Sequence, residues 1–308
     1  VRDVEGELSV EQVADDLSAL ADAVLATALN WAWPLLKQRH RSDCGLAVIA
    51  YGKLGGKELG YGGDLDVVFL YDDGDEPDKD RAQEVYAAFV RKLITWLTLR
   101  TAAGELFDID TALRPNGNSG LLVTSIQAFE QYQRGRGSNT AWTWEHQALT
   151  RARFSAGDAA LGAKFEAIRD AILRKPRDLA ALAKDIRDMR ARIASAHPNR
   201  SGLFDLKHDR GGMIDIEFAV QYLVLAHAHR FPDLTRNLGN IALLKMAADF
   251  QLIAPQLAEG CRSAYREYRR TQHMLRLNGA QYARVKPELF AAEVAAVSAL
   301  WSAVLGGR

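Results

Sequence analysis

Two apolar segments separated by a glycine-rich loop constrain the fold of this chain more than any other feature. Gly45–Tyr51 and Asp66–Tyr71 are short runs rich in strand-forming residues, so the sequence predicts a β-strand at each. The loop between them contains glycine at positions 52, 55, 56, 60, 62 and 63. Glycine permits positive φ angles and close approach of the backbone to a ligand, and successive N–H groups in such a loop form a concave site for anions such as phosphate. We therefore expect a strand–loop–strand unit that binds an anionic ligand.

Acidic residues stand at the start of the second predicted strand. Asp64 and Asp66 are two residues apart, which places both carboxylates on the same face of a strand. The segment Glu105–Leu113 alternates apolar and polar residues as a half-exposed strand does, and it repeats the acidic pattern at Asp108 and Asp110. An isolated Asp-x-Asp is usually an exposed strand edge, but neighbouring carboxylates repel one another unless a cation such as Mg²⁺ lies between them. If the strands are neighbours, three carboxylates converge, and such a set can hold two metal ions about 4 Å apart for in-line attack at phosphorus.

The periodicity of the chain changes along its length. It predicts a helix from about residue 11 to 36, and an amphipathic helix between the second and third strands that ends before Gly104. From Ser125 onward the pattern predicts helices and no strand. We therefore predict an α+β fold in which a small sheet domain with flanking helices, residues 1–155, is followed by an all-helical bundle, residues 156–308.

Composition excludes several classes of protein. Lys+Arg and Asp+Glu are both 39, so the chain lacks the basic excess that usually accompanies nucleic-acid binding. Its two cysteines, Cys44 and Cys261, form no disulfide framework, which favours a reduced cytoplasmic location. No stretch approaches the roughly 18 consecutive apolar residues that suggest a membrane span. The first residues are acidic and lack both an initiating Met and a signal-peptide pattern, so we expect a cytoplasmic fragment of a longer protein.

The glycine pair, a spacer and the Asp-x-Asp resemble the signature of the DNA polymerase β-like nucleotidyltransferases. Four ordered segments are more narrowly similar to the glutamine synthetase adenylyltransferase family: GKLGGKELGYGGDLDVVFLYD, DIDTALRPNGNSGLLV, AWTWEHQALTRAR and KHDRGGMIDIEF. The segments WTWEHQAL and RPNG resemble the C-terminal, adenylylating half of that family. The resemblance implies that residues 1–155 are a catalytic nucleotidyltransferase domain, and that an N-terminal deadenylylating domain of the same chain is missing.

The resemblance also implies the residues of the site. Asp64 and Asp66 match the metal-binding pair of the family. Asp110 matches the third carboxylate, which would also help to deprotonate the attacking hydroxyl. Gly55 and Gly56 match the pair that cradles the triphosphate of ATP. Two Mg²⁺ ions would be held by the three carboxylates.

Four more residues are candidate nucleotide contacts. Lys53 lies in the glycine-rich loop, where it either meets a phosphate as a point charge or is solvated. Arg114 stands beside the third carboxylate, where it can pair with Asp110 or with the triphosphate. Gly62 and Gly63 replace a Ser-Ser pair that is common in the family, which leaves backbone N–H groups to contact phosphate.

Residues outside these positions are given structural roles. Trp142 and Glu145 belong to a segment that we predict to pack rather than to catalyse. Arg151 and Arg153 are predicted to lie on a solvated or inter-domain surface. Asp215 is predicted to lie in the first turn of a helix, where its charge suits the helix dipole.

The resemblance implies an enzyme that transfers AMP from ATP to a tyrosine hydroxyl of glutamine synthetase, releases pyrophosphate and so regulates nitrogen assimilation. Glutamine synthetase is the expected protein substrate and a PII-type signalling protein a further partner. Neither a nucleic acid nor a membrane is expected as a partner. Three alternatives stay open. They are the reverse, phosphorolytic deadenylylation, nucleotidyl transfer to a small molecule such as an aminoglycoside, and a regulatory module that binds glutamine or PII while catalysis occurs elsewhere.

Overall fold

The computed structural model describes residues 2–74 and 78–306, which form two compact units. One unit spans Ala14–Ile172 and contains the main sheet. The other comprises Val1–Val13 and Leu173–Arg308 and is mostly helical. The predicted α+β class is confirmed. The functional boundary that we place at residue 155 stays a prediction.

Eleven α-helices and β-strands lie wholly or mostly in the described residues of the sheet-bearing unit. In chain order these are α1 (Val10–Ala32), β1 (Leu46–Ala50), α2 (Gly52–Gly55), β2 (Leu65–Tyr71), α3 (Lys79–Leu97), β3 (Ile109–Asp110), β4 (Val123–Ser125), α4 (Ile126–Gln133), α5 (Thr143–Leu149), β5 (Arg153–Gly157) and α6 (Ala159–Leu173).

The five-stranded sheet is mixed. β1 pairs antiparallel with β2 and with β5, whereas β2 pairs in parallel with β3 and with β4. All of β1 and nearly all of β2 is buried, as expected for continuous apolar runs. Leu25 of α1 and Phe89 of α3 lie in the same hydrophobic core as Val48 of β1. The two predicted apolar strands therefore form the centre of the unit, and the glycine-rich loop that joins them is held at one end of the sheet.

The prediction of no strand after Ser125 is wrong. β5 extends the sheet beside β1, and the helical unit contains a short antiparallel ladder of β6 (Phe204–Asp205) with β7 (Arg284–Val285). These strands have five residues or fewer and little apolar alternation, so their pairing depends on partners distant in sequence. The strand predicted at Glu105–Leu113 is also shorter than expected, because only Ile109 and Asp110 pair with β2 and a hydrogen-bonded turn follows Asp110.

The helical unit is built on five long helices. These are α7 (Leu179–Ala196), α8 (Met213–His227), α9 (Asn240–Asp249), α10 (Pro255–Leu277) and α11 (Ala291–Leu305). Leu223 of α8, Leu244 of α9, Tyr268 of α10 and Leu300 of α11 belong to one buried cluster. The cluster gives this unit a hydrophobic core of its own.

A buried ion pair joins α7 to the start of α8. Arg190 has no exposed surface and donates from Nε to Asp215 Oδ1. Its Nη2 also donates to the carbonyl oxygens of His208 and Asp209, at 2.8 and 3.1 Å. Asp215 accepts a further hydrogen bond of 2.7 Å from the Gly211 N–H. Asp215 lies in the first turn of its helix as predicted, but an arginine of another helix compensates its charge.

The segment Pro287–Leu305 differs from the expectation that no stretch approaches a membrane span. This segment of 19 residues contains an 18-residue apolar window with a mean hydropathy of 1.6, so it is long and apolar enough to cross a membrane. In the structure α11 packs against α8 and α10 through Val297 and Leu300, although only 22% of the apolar window is buried. A packed helix of a globular unit meets the same criterion of length and composition, so this segment alone does not identify a membrane span.

Candidate metal and nucleotide site

Three carboxylates converge where β2 and β3 begin. The parallel register pairs Leu65 with Ile109 and Asp66 with Asp110, and the Leu65 N–H donates to the carbonyl oxygen of Asp108 at 2.8 Å. Asp64 directly precedes β2. One carboxylate oxygen from each of Asp64, Asp66 and Asp110 lies within 4.8 Å of the others. The structure therefore brings the three acids together as the sequence predicts, because the two acidic strands are neighbours.

The donor set suits a hard divalent cation. Every ligand atom available from the three residues is a carboxylate oxygen, which is the chemistry that Mg²⁺ prefers. Asp110 is held by a turn in which the Ala112 N–H donates to its Oδ1 at 2.7 Å. Its Oδ2 is left for another partner. Without a cation, three negative charges at these distances repel one another.

An open cleft of about 560 Å³ adjoins the carboxylates. Its lining is mostly polar and consists of Gly62, Asp64, Thr98, Asp108, Ile109, Asp110, Thr111 and Asn118. A cavity of this size can hold a nucleotide-sized ligand. Of the residues that we predict to contact nucleotide, Gly62 lines this cleft, whereas Gly63, Lys53, Arg114 and the pair Gly55 and Gly56 do not.

Gly52 is a site residue to which sequence reasoning gives no individual role. It has a φ of +52°, in the left-handed region, and it is the first residue of α2. A Cβ at this position would lie only 1.9 Å from Oδ2 of Asp66. The Tyr51 N–H, one residue earlier, donates to the main-chain oxygen of Asp66 at 2.8 Å. The Asp66 carboxylate can therefore occupy its place only because residue 52 has no side chain.

The pair Gly55 and Gly56 is buried at the end of α2. A Cβ on Gly55 would lie 2.1 Å from the carbonyl oxygen of Arg151, and one on Gly56 would lie 2.8 Å from Nε of that arginine. Their N–H groups donate within the loop, to the carbonyl oxygens of Tyr51 and Gly52 at 2.6 and 3.2 Å. The structure thus gives the pair a role in close packing, and its contact with triphosphate stays a prediction.

The other residues predicted to contact nucleotide, Lys53, Gly63 and Arg114, differ in their exposure and in their hydrogen bonds. Lys53 lies in α2 and is partly exposed, and the Gly63 N–H donates to the carbonyl oxygen of Gly60 at 3.1 Å. Arg114 is 9% exposed, and its guanidinium group donates to Thr111, Asn118 and Gly120 of its own loop. Contacts of these side chains with nucleotide stay predictions.

Two buried arginines, Arg151 and Arg153, hold the glycine-rich loop from inside the unit. The sequence predicts a surface position for both. Arg151 is buried and donates to Glu58 Oε2 at 2.6 Å. Arg153 is also buried, lies 2.9 Å from Asp22 and donates to the carbonyl oxygen of Leu54 at 3.1 Å. The prediction of a solvated or inter-domain surface is wrong, because both guanidinium groups compensate charges and carbonyl groups inside the unit.

A buried acid supports the loop that follows Asp110. Glu145 accepts hydrogen bonds from the Tyr132 hydroxyl at 2.8 Å and from the Trp142 N–H at 2.8 Å. The Asn116 N–H in turn donates to the Tyr132 oxygen at 3.3 Å. Burial raises the pKa of the Glu145 carboxyl, and the hydrogen bonds from Trp142 and Tyr132 offset part of that rise. Glu145 packs as predicted, but the Trp142 side chain is 64% exposed, so the packing role predicted for it is wrong.

Replacing Glu145 by Gln should alter how stability depends on pH. Since the pKa of this carboxyl is higher in the folded than in the unfolded chain, its contribution is complete below the unfolded pKa and is lost as pH rises through the folded pKa. We expect the free energy of unfolding of the wild type, relative to Glu145→Gln, to fall as pH rises above about 4 and then to level off. Urea unfolding of both proteins at several pH values measures this difference. A difference that stays constant with pH would contradict the assignment.

Comparison with known proteins identifies the family of this chain. The profile described as glutamate-ammonia ligase adenylyltransferase matches residues 1–168, which is more than half of the chain. The chain belongs to the glutamate-ammonia ligase adenylyltransferase family. A second profile, described as GlnD PII-uridylyltransferase, matches residues 181–296 in the helical unit. The resemblance drawn from the four sequence segments is therefore confirmed.

Similar proteins carry a name with two activities. The chain is 59% identical over 306 residues to the bifunctional glutamine synthetase adenylyltransferase/adenylyl-removing enzyme of Burkholderia mallei (strain ATCC 23344). It is 56% identical over 306 residues to the protein of that name from Ralstonia nicotianae, and 50% identical over 318 residues to that from Nitrosomonas eutropha. Each alignment covers 99% of this chain but only 32 to 33% of the relative. The chain thus spans about a third of the length of the curated relatives it matches.

Proposed function

We propose that this member of the glutamate-ammonia ligase adenylyltransferase family transfers AMP from ATP to a tyrosine hydroxyl of glutamine synthetase. The observation that carries the proposal is the convergence of three carboxylates beside a cleft, in the unit that matches the family profile. In the reaction a bond forms between the tyrosine oxygen and the α-phosphorus of ATP. The bond between that phosphorus and the oxygen that bridges to the β-phosphorus breaks. Pyrophosphate leaves, and the hydroxyl proton is lost.

The three carboxylates have distinct tasks in this proposal. Asp64, Asp66 and Asp110 would hold Mg²⁺, and two ions is the number that we propose for such a set. When bound, the metal neutralises phosphate charge and stabilises the leaving pyrophosphate. Asp110 would also accept the hydroxyl proton at Oδ2, because its Oδ1 already accepts the Ala112 N–H. The polar cleft beside them would hold the triphosphate of ATP.

We also propose that the chain is the adenylylating part of a longer enzyme that contains a separate deadenylylating domain. The two activities in the name of its relatives, together with its coverage of a third of their length, support this. The match of residues 181–296 to a PII-uridylyltransferase profile supports a PII-type protein as a further partner. Since the reaction consumes ATP, we place it in the cytoplasm.

Transfer of label from ATP tests the activity directly. Glutamine synthetase is incubated with this chain, Mg²⁺ and ATP labelled at either the α- or the γ-phosphorus. We expect the α-label, but not the γ-label, to appear on glutamine synthetase, since AMP is transferred and pyrophosphate leaves. Release of the label as AMP by a phosphodiesterase identifies the linkage. Glutamine synthetase that stays unlabelled, as it would if the acceptor were a small molecule, would reject the proposal.

Phosphorolytic removal of AMP is a second candidate, because the relatives are also named as adenylyl-removing enzymes. In that reaction phosphate attacks the AMP phosphorus, ADP is formed and the tyrosine hydroxyl is restored. Adenylylated glutamine synthetase incubated with this chain, Mg²⁺ and phosphate would then yield ADP. Production of ADP in this assay, without transfer in the forward assay, would assign the chain to removal.

A further inference from the structure

We propose that Arg114 is a positioning residue that fixes the loop after Asp110, and with it the Asp110 carboxylate, for metal binding. This inference rests on the proposed function and differs from a direct contact of Arg114 with triphosphate. In this inference Arg114 acts without touching the acceptor or the transferred phosphorus. Its effect on the reaction passes through the carboxylate four residues earlier.

The guanidinium group of Arg114 makes hydrogen bonds to both ends of one loop. Nη1 donates to the carbonyl oxygen and to Oγ1 of Thr111, at 2.7 and 2.9 Å, and to Oδ1 of Asn118 at 3.2 Å. Nη2 donates to the carbonyl oxygen of Asn118 at 3.1 Å. Nε donates to the carbonyl oxygen of Gly120 at 3.2 Å. Each of the three nitrogen atoms therefore donates inside the loop, and the side chain is 9% exposed.

The residues that Arg114 holds are themselves part of the cleft. Thr111 follows Asp110 directly, and both Thr111 and Asn118 line the cleft. The Asp110 Oδ1 accepts the Ala112 N–H at 2.7 Å, so the orientation of this carboxylate depends on the turn that begins at Thr111. A guanidinium group that fixes the Thr111 carbonyl therefore fixes the turn that orients Asp110.

The loop backbone leaves little freedom once the arginine is in place. Asn116 and Gly117 both have positive φ angles, of 66° and 56°. The Gly117 N–H donates to the carbonyl oxygen of Arg114 at 2.8 Å. A Cβ on Gly120 would lie 1.9 Å from the carbonyl oxygen of Pro115, so the two ends of the turn are in close contact. The geometry is that of a closed loop around one planar side chain.

A lysine at position 114 separates positioning from phosphate binding. The guanidinium fork is planar and rigid, whereas an ammonium group is a point charge that cannot reach acceptors spread over Thr111, Asn118 and Gly120. If Arg114 acts through the loop, Arg114→Lys should behave like Arg114→Met, because both lose the fork. If it acts on triphosphate by charge, Arg114→Lys should keep most of the wild-type affinity for ATP.

Binding of Mn²⁺ followed by electron paramagnetic resonance provides a readout other than activity. Partners that orient a metal ligand typically contribute about 10- to 100-fold to metal affinity or activity. We expect the affinity for Mn²⁺ to fall by about that factor in both Arg114→Lys and Arg114→Met. Thr111→Val, which removes one acceptor and keeps the shape of the side chain, should weaken binding by less. Arg134→Lys is the matched control, since Arg134 is a surface residue of the same unit that pairs with Glu130.

Four outcomes decide whether Arg114 positions the loop or contacts the triphosphate. Weaker Mn²⁺ binding in Arg114→Lys and Arg114→Met, with Arg134→Lys unchanged and far-ultraviolet circular dichroism preserved, supports positioning. Wild-type Mn²⁺ affinity in Arg114→Lys, with a KM for ATP that is raised in Arg114→Met but not in Arg114→Lys, overturns it in favour of phosphate contact. If either Arg114 variant fails to fold, the result for Thr111→Val decides, and unchanged Mn²⁺ affinity in that variant overturns the inference. If the wild type binds Mn²⁺ but labels no glutamine synthetase, the proposed function fails while the positioning role stands.

Discussion

Asp66→Asn and Asp110→Asn should each lower the rate of AMP transfer to glutamine synthetase by about 1,000-fold. Each substitution removes one charge from a set of carboxylates whose oxygens lie within 4.8 Å of one another. A catalytic metal supplies several kcal/mol of charge stabilisation, and each 1.4 kcal/mol corresponds to about a tenfold change in rate. Asp108→Asn is the matched control. Asp108 directly precedes β3 and lines the cleft, but it does not belong to the set of three carboxylates. Its effect should stay below about tenfold.

The same variants should be more stable than the wild type in the absence of metal. Three carboxylates close together repel one another, and neutralising one relieves part of that repulsion. Proteins often become more stable when the charged side chains of a binding site are replaced, for this reason. We therefore expect the Tm of Asp66→Asn and Asp110→Asn to exceed that of the wild type without Mg²⁺, and Mg²⁺ to raise only the wild-type Tm substantially. Equal Tm responses to Mg²⁺ in all three proteins would show that these residues do not hold the metal.

Local patterns in the sequence were sufficient to predict the centre of the fold. β1 and β2 are continuous apolar runs, and their identity as buried strands follows from hydrophobicity alone. The sequence predicted the convergence of Asp66 and Asp110 only on the condition that the two acidic strands are neighbours, and the parallel pairing of β2 with β3 meets that condition. β5 was missed because only its pairing with β1, which is distant in sequence, makes its five residues a strand.

The supporting residues of the site carry much weaker signals. Arg114 bonds mostly to main-chain carbonyl oxygens, and a carbonyl oxygen is present whatever the neighbouring residue type is. Arg151 and Arg153 were predicted to be at the surface because arginine usually is, but Glu58 and Asp22, which compensate their charges, lie on other elements. Gly52 is one of six glycines in its loop, and only the coordinates distinguish it from the others. Tertiary contacts of this kind are not visible in residue spacing.

Gly52→Ala should lower AMP transfer by at least about 100-fold while leaving the unit folded. The added methyl group would lie 1.9 Å from Asp66 Oδ2, far inside van der Waals contact, so either the carboxylate or the loop must move. The backbone φ of +52° adds a further cost of about 1–3 kcal/mol for a residue with a side chain. Displacement of Asp66 from the other carboxylates should also abolish the rise in Tm that Mg²⁺ causes in the wild type. Radiolabel transfer and thermal unfolding with and without Mg²⁺ measure the two effects.

Gly135→Ala separates the steric clash with Asp66 from the cost in stability of a positive φ angle at a residue with a side chain. Gly135 follows α4 in the same unit and has a φ of +73°, but a Cβ there would meet nothing within 4 Å. It should therefore lose a similar amount of stability, about 1 kcal/mol or more, and keep both the transfer rate and the response of Tm to Mg²⁺. If Gly52→Ala and Gly135→Ala lose stability alike and both retain transfer, then Asp66 tolerates a side chain at residue 52. The close contact between Gly52 and Asp66 would in that case have no part in holding the metal ligand.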